Sequence, residues 1–563
     1  MLSLIVGLCL ASVVPARGQT SSGTVNVLVV DESGGAMPGV ALTLVNADTA
    51  LERQAVADAE GRAAFPFVPP GRYAITAERS GFTPGRLTDV VVHVGSDLIF
   101  RVQLKVGTVS QTVEVIGNAT ELGSRSGAVS TVVDRQFVEN LPMNGRTFQS
   151  LIALTPGVVL TRTFTGNAGQ FVVNGMRSDD NYFTVDGVSA NLGLNNGSNT
   201  LYQGAGGQLP AMSALGGTNS LVSMDAMQEF RIQTSTFAPE FGRFPGGQVG
   251  IVTRSGSNQF HGTAFEYFRH DALNANEWFA NRAGLPKAKE RSNDYGGVMG
   301  GPIVKNRMFF FASYEAQRVR QPITVNSLVP SLAVRAATPA SQKVFIDAFP
   351  LPTGEALSDG SAPFIITTTN PASLDASSLR VDQRGDRYLL FGRYNYSPSS
   401  FTKRSVGYDS ASNTTLTTAT AGLTYSLSSR AVNELRVNYS RNLVNSLSEG
   451  SSAGGAVPLT DAALPVGTTF GTGLVGYQII GQTGAAAVGP TYGTLGENTN
   501  TQYNVTDTLS LSRGTHQVKV GFDYRRLAPV TQSPDIWLTA AFVGMIGPGG
   551  LASGVPVATA AVL

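Results

Sequence analysis

The chain has 563 residues, enough for three or more domains, and only 14% of them are charged, against about a quarter in an ordinary soluble protein. A formal net charge of +1 leaves no basic footprint and argues against a nucleic-acid partner. The single cysteine, Cys9, excludes a disulfide framework, and 64 glycines suit short strands joined by many turns.

Leu2 to Val14 is almost wholly apolar, and Ala16-Arg17-Gly18 follows as a small-x-small site. Residues 1–18 therefore read as a secretory signal peptide. No Lys or Arg precedes the apolar run, so the expected true start lies upstream; a buried N-terminal strand or helix is the plainer alternative. Leu8, which is not small, precedes Cys9 and argues against a lipoprotein. No other stretch reaches the about 18 apolar residues of a spanning helix. A membrane role has to come from a barrel, the other structure that satisfies its backbone in lipid.

Residues 23–105 form the next unit. Thr24-Val25-Asn26-Val27-Leu28-Val29-Val30 is β-rich, and Asp31-Glu32-Ser33-Gly34-Gly35 is turn chemistry. Pro38-Gly39-Val40 restarts a strand, Asp58-Ala59-Glu60-Gly61 turns again, and Pro70-Gly71-Arg72 precedes the alternating Tyr73 to Ala77. Strands at this spacing predict a small β-sandwich. Residues 106–120 are a connector holding the alternating run Gln111-Thr112-Val113-Glu114-Val115-Ile116-Gly117.

Residues 121–257 mix short helices with strands. Phe137 and Leu141 have helical spacing, Phe148, Leu151 and Ile152 repeat it, and Pro156-Gly157 stops it. Phe171 to Val173 and Tyr182 to Val188 read as strands, Asn191 to Ser220 as a long loop, and Met224 to Ile232 as a helix-to-strand unit. Residues 258–563 change to long alternating strands. Leu435, Val437 and Tyr439 share one face; so do Val518, Val520, Phe522 and Tyr524, and Met308, Phe310, Ala312 and Tyr314. Tyr388, Leu390, Tyr394 and Tyr396 do so less cleanly. Apolar-out, polar-in strands with terminal aromatics match a transmembrane β-barrel better than a soluble sandwich. The expected fold is mostly β: an N-terminal β-sandwich, an α+β domain, and the first part of a transmembrane antiparallel barrel.

No catalytic, cofactor or metal site is expected. His93, His261, His270 and His516 stand in no metal-ligand spacing. Gly471-Thr472-Gly473-Leu474-Val475-Gly476 matches G-x-G-x-x-G but lacks the following helix, so a glycine-rich barrel loop is the reading. Asp179-Asp180 and Asp186-Gly187 suit turns and caps better than a cation.

Leu141-Pro142-Met143-Asn144-Gly145-Arg146-Thr147-Phe148, then Phe171-Val172-Val173-Asn174-Gly175-Met176-Arg177, Val185-Asp186-Gly187, and the run Gln248 to Asn258 resemble the plug and plug-to-barrel junction of TonB-dependent outer-membrane receptors, in the Oar-like branch. Residues 23–105 resemble the carboxypeptidase-regulatory-like domain that this branch carries in front. The resemblance implies an outer-membrane protein of a Gram-negative-type cell, with the sandwich in the periplasm and lipid around the barrel. It implies uptake of a large or scarce extracellular ligand of unknown identity, energised by TonB, and no covalent chemistry. Thr112, Val113, Glu114, Val115 and Ile116 resemble the TonB box that would contact TonB by strand addition; an ordinary plug strand is the alternative. Asn144, Gly145, Arg146, Asn174, Gly175, Arg177, Asp186 and Gly187 are the expected plug-locking residues, with Arg146 and Arg177 reaching carboxylates on the inner barrel wall. About eight barrel strands are countable, whereas plugged transporters use about 22. The sequence is therefore expected to be an N-terminal fragment of a longer receptor. A structural, adhesive or export protein of the outer membrane, without TonB-driven import, is the alternative; a soluble secreted β-rich binding protein is more distant.

Overall fold

A computed structural model describes most of residues 21–561. Outside the described residues lie 1–20, 108–112, 116–120, 125–127, 141–147, 162–169, 195–206, 208, 238–240, and scattered positions and short stretches beyond 276. The expected signal peptide, Thr112, Ile116, Asn144, Gly145 and Arg146 fall there.

The N-terminal unit is a sandwich of two sheets. Its strands are β1 (Gly23–Val30), β2 (Ala41–Asn46), β3 (Glu52–Val56), β4 (Arg62–Val68), β5 (Gly71–Glu78), β6 (Phe82–Thr83), β7 (Gly85–Val92), β8 (Asp97–Gln103) and β9 (Lys105–Val106). Two later strands, β10 (Val113–Val115) and β11 (Glu121–Ser124), complete it. The sheet orders are β11-β8-β1-β4 and β10-β7-β5-β2-β3. Alternation in β1 sends Val25, Val27 and Val29 inward against Leu42, Leu44, Phe65 and Ile75. At the 58–62 turn, Asp58 Oδ1 accepts from the amides of Glu60 (3.1 Å) and Arg62 (2.8 Å). Gly61 sits at φ +72°, where a Cβ would lie 2.5 Å from the Val29 carbonyl oxygen, so only glycine closes this turn without strain.

The second unit is built on a five-stranded sheet. Its strands are β12 (Val129–Asp134), β15 (Tyr182–Val185), β16 (Val188–Ser189), β17 (Met227–Ser235) and β18 (Gln248–Thr253), in the order β12-β17-β18-β15-β16. A separate hairpin joins β13 (Val158–Thr161) to β14 (Gln170–Val173). Asp134 Oδ1 accepts from the Phe137 amide (2.9 Å) and starts the helix Arg135–Asn140. The second helix, Phe148–Ile152, buries Phe148 edge-on against Phe230, with ring centroids 4.6 Å apart.

A meander of long antiparallel strands wraps this unit. It runs β19 (His261–His270), β20 (Arg291–Val304), β21 (Met308–Pro330), β22 (Ser361–Arg384), β23 (Tyr388–Arg404), β24 (Tyr408–Ser428) and β25 (Ala431–Gly450). After β26 (Gly473–Ile480) and the two-residue β27 (Ala486–Ala487), it resumes with β28 (Thr491–Arg513) and β29 (His516–Thr531). Gly473 to Gly476 of the glycine-rich run thus lie in a strand, β26, whose Leu474, Val475 and Gly476 pair with the start of β28. Val437, Tyr439, Val518, Val520, Phe522 and Tyr524 point outward and are exposed. Asn438, Ser440, Asn442, Asn500, Gln502 and Asn504 point inward and are buried. This is the alternation of a lipid-facing barrel. From β21 on, these meander strands hold 16 to 24 residues, beyond the about 9–11 that cross the hydrocarbon, so they project past it. Short turns such as 305–307, 385–387 and 429–430 mark one end, and the sandwich lies at that end, where the Asn258 amide donates to the Asp48 carbonyl (3.1 Å). Among the described residues the sheet is open: β19 pairs only with β20, and β29 only with β28.

Candidate functional site

The sheet domain sits in the concave face of the meander and shares its core with it. Val298, Phe311 and Leu416 of the wall pack into the cluster formed by Phe148, Phe183, Phe230 and Ile251. Around this apolar contact the interface is polar. The turn from β15 to β16 places Asp186 at φ +50° and Gly187 at φ +81° against the wall.

Asp186 is 2% exposed and is the centre of the site. Its Oδ1 accepts from the Thr253 amide (3.0 Å) and hydroxyl (3.0 Å), which aim the carboxylate outward from β18. Arg380 Nη1 on β22 reaches the same oxygen at 3.2 Å, and Arg393 Nη1 on β23 lies 3.7 Å from Oδ2. Arg436 on β25 donates to the Asp186 carbonyl. The wall completes the charge balance itself: Arg380 pairs with Asp382 (2.8 Å) and Arg436 with Glu434 (2.6 Å). Three carboxylates thus face three guanidiniums, and the ring of Phe391 lies 4.4 Å from Arg380. Two of the arginines, Arg393 and Arg436, are nearly as buried as Asp186. A cavity of about 150 Å³ below the network is lined by Asp186, Arg380 and Arg436 above and by Asn46, Pro69 and Tyr73 of the sandwich. The sandwich therefore covers the network from the short-turn end.

Higher in the wall the contacts are mostly neutral. Asn504 Oδ1 accepts from the Ser189 amide (2.8 Å), Gln502 donates to the Ser189 carbonyl (2.7 Å), and Asn500 donates to the Leu192 carbonyl (3.2 Å). At the side, Arg243 binds Asp523 at 3.0 Å.

The described members of the expected lock are placed as follows. Asn174 Nδ2 donates to the Thr234 carbonyl (2.9 Å), within the sheet domain. Gly175 takes φ +78° in the following turn. Arg177 is exposed, and no ion pair to the wall is found for it among the described residues; its amide donates to Asp180 (3.1 Å). The polarity of the central contact is the reverse of the expected one: the inner domain supplies the carboxylate and the wall the guanidiniums. The pair of the expected polarity is made by Arg243. Gly187 touches the network directly, since a Cβ there would lie 2.7 Å from Arg436 Nη1. Arg243, Thr253, Arg380, Arg393, Glu434 and Arg436 were not singled out from the sequence. The missed signal is opposite charge at i and i+2 on an inward strand face, as in Arg380/Asp382 and Glu434/Arg436.

Val113, Glu114 and Val115 form β10, paired in parallel with Gly85, Arg86 and Leu87 of β7 on the sandwich edge. The sandwich is tied to the inner sheet by its 93–96 turn. Buried Glu229 on β17 accepts from the Val94 amide and pairs with His93 Nδ1 (2.8 Å). The hydrogen bond to this carboxylate raises the His93 imidazole above its ordinary value, against partial burial. Among the described residues no group of three or more His, Cys, Asp and Glu is placed to hold a metal.

Comparison with known proteins assigns the three units. Residues 252–338 and 334–536 match the outer membrane beta barrel domain family, half of the chain. Residues 124–249 match the TonB-dependent receptor plug domain, and 24–105 the carboxypeptidase regulatory-like domain. The TonB-dependent transporter Oar of Myxococcus xanthus is 27% identical over 336 residues, which cover 57% of this chain and 29% of that protein. The outer membrane transporter YddB from Escherichia coli is 14% identical, with a TM-score of 0.50 over 73% of this chain and 50% of its own; this likeness is one of fold alone. The match thus spans less than a third of the curated relative and half of the solved one.

Proposed function

Since this chain belongs to the outer-membrane TonB-dependent receptors, with a carboxypeptidase-regulatory-like domain ahead of its plug, we propose that it takes up a ligand too large or too scarce for simple diffusion, energised by TonB. The observation that carries this is the Asp186 network. A domain meant to stay in place permanently would be held best by apolar packing, because buried ion pairs are weak net stabilisers. A carboxylate balanced by arginines of another element holds one seated geometry and becomes favourable to hydrate once it leaves. That suits a plug that has to move under load.

The Val113–Val115 segment is the proposed contact for TonB, because an extended alternating strand offers its backbone for strand addition. Ligand would meet the long-loop end of the barrel and the outer face of the plug. Iron chelates, oligosaccharides and peptides remain open as ligand classes.

The test is binding of the purified TonB C-terminal domain to the full-length receptor in lipid. Saturable binding that is lost in Val113→Pro supports the reading, because proline removes a ladder donor. No binding, or binding unchanged by the substitution, refutes it.

A further inference from the structure

The described strands that follow β8 on the way to the plug are held by the sandwich, and by both of its sheets. β9 pairs with β6, β10 pairs in parallel with the free edge of β7, and β11 pairs antiparallel with β8 in the opposite sheet. Only then does the chain enter the plug at β12, whose partner is β17.

The sandwich is in turn pinned to those same two plug strands. Arg231 on β17 donates through Nη1 to the Val94 carbonyl (3.1 Å) and through Nη2 to Ser130 Oγ on β12 (2.9 Å). Next to it, Glu229 takes the Val94 amide and His93. Gly95, at φ +63°, leaves room for this guanidinium, because a Cβ would lie 2.8 Å from Arg231 Nη1. One side chain therefore touches the sandwich, the first plug strand and its neighbour.

Chain order decides how force would travel. A pull on residues 112–116 loads both flanks: the N-terminal one runs into the sandwich, where β9 is held by β6, and the C-terminal one runs toward residue 117 and beyond. Tension meets β11 on β8 before it meets β12 on β17. We propose that the N-terminal sandwich is a tension-bearing latch, in series between the TonB-binding segment and the plug, which has to release β10 and β11 before the plug is loaded. The proposal rests on the TonB reading given above. It assigns the sandwich a mechanical function: ladder bonds of two short strands set the force at which the plug begins to move, and the Glu229–Arg231 seat keeps the sandwich in place meanwhile.

The test is single-molecule pulling on the full-length receptor in lipid, loaded through a tethered TonB C-terminal domain. Release of residues 116–128 adds at most about 45 Å of extended chain before any plug strand is lost. The expected trace has this early lengthening, followed by a separate plug event. Phe100→Cys with Glu121→Cys, in a Cys9→Ser background, places thiols at directly paired positions of β8 and β11, outside the TonB-binding segment. When that disulfide is closed, the early step vanishes, and reduction of the same molecules restores it. Identical traces before and after reduction, with the disulfide verified, overturn the latch. A wild-type receptor that TonB never captures refutes the TonB reading itself and the latch with it, which is a distinguishable failure.

Discussion

Asp186→Asn is the sharpest perturbation of the plug seat. The amide keeps the size and the hydrogen bonds from Thr253, and removes only the charge. Arg380 still has Asp382 and Arg436 still has Glu434, but Arg393, 2% exposed on its side chain, loses the one carboxylate it pairs with among the described residues, Asp186. Removing one partner of a buried pair costs about 3–5 kcal/mol, because the other charge stays uncompensated. The Arg393 distance of 3.7 Å is long, so the lower end, about 3 kcal/mol, is expected. At 1.4 kcal/mol per tenfold that is an increase of roughly 100-fold in the unseated population. Hydrogen exchange of the β15 and β18 amides in the full-length receptor in lipid reads it directly, as a fall in protection of that size. The charge-balanced double variant Asp186→Asn with Arg393→Met recovers at least half of the loss in free energy. A single variant whose protection stays within threefold of wild type, or a double variant worse than the single, refutes the electrostatic argument.

Other outcomes follow from the same structure. Because Glu229 raises the His93 imidazole, the pair's contribution to sandwich docking is fully present below the ordinary value of about 6.5 and is lost as pH rises through the raised one. Protection from exchange at residues 93–96, taken relative to the intrinsic rate at each pH, therefore falls from pH 6 to pH 8, and His93→Gln makes that profile flat; an unchanged profile in that variant contradicts the assignment. Gly187→Ala forces a left-handed residue to carry a Cβ against Arg436, so plug seating weakens by about 1–3 kcal/mol in the same exchange assay. Val437→Arg puts a charge on the outward face of β25 and lowers refolding stability in vesicles by about 2–4 kcal/mol if that face meets lipid. No loss there would mean that this face does not meet hydrocarbon.

The fold was legible where side-chain periodicity carries it. Strict alternation at Val518, Val520, Phe522 and Tyr524 gives both the strand and its outward face, because the period of a strand is two. The helix-to-strand unit at Met224 shows itself through local spacing, and the structure has a 3-10 turn at Met224–Ala226 leading into β17. Asp186 and Gly187 stood out through a resemblance, not through chemistry visible in the chain. The arginines that meet Asp186 did not stand out, because they lie 194 to 250 residues away and only barrel register brings them together. The placement of Val113–Val115 on the sandwich edge was equally hidden: a three-residue strand says nothing of its partner, and parallel pairing with β7 is a tertiary choice.

The central claim is energised transport through a plugged barrel, and uptake in cells tests it most directly. The full-length receptor would be expressed in the outer membrane and offered labelled iron chelates, oligosaccharides and peptides, with TonB present and absent. The account predicts that at least one probe accumulates, and that loss of TonB or collapse of the proton gradient abolishes its entry while surface binding persists. Accumulation that proceeds equally without TonB would contradict it.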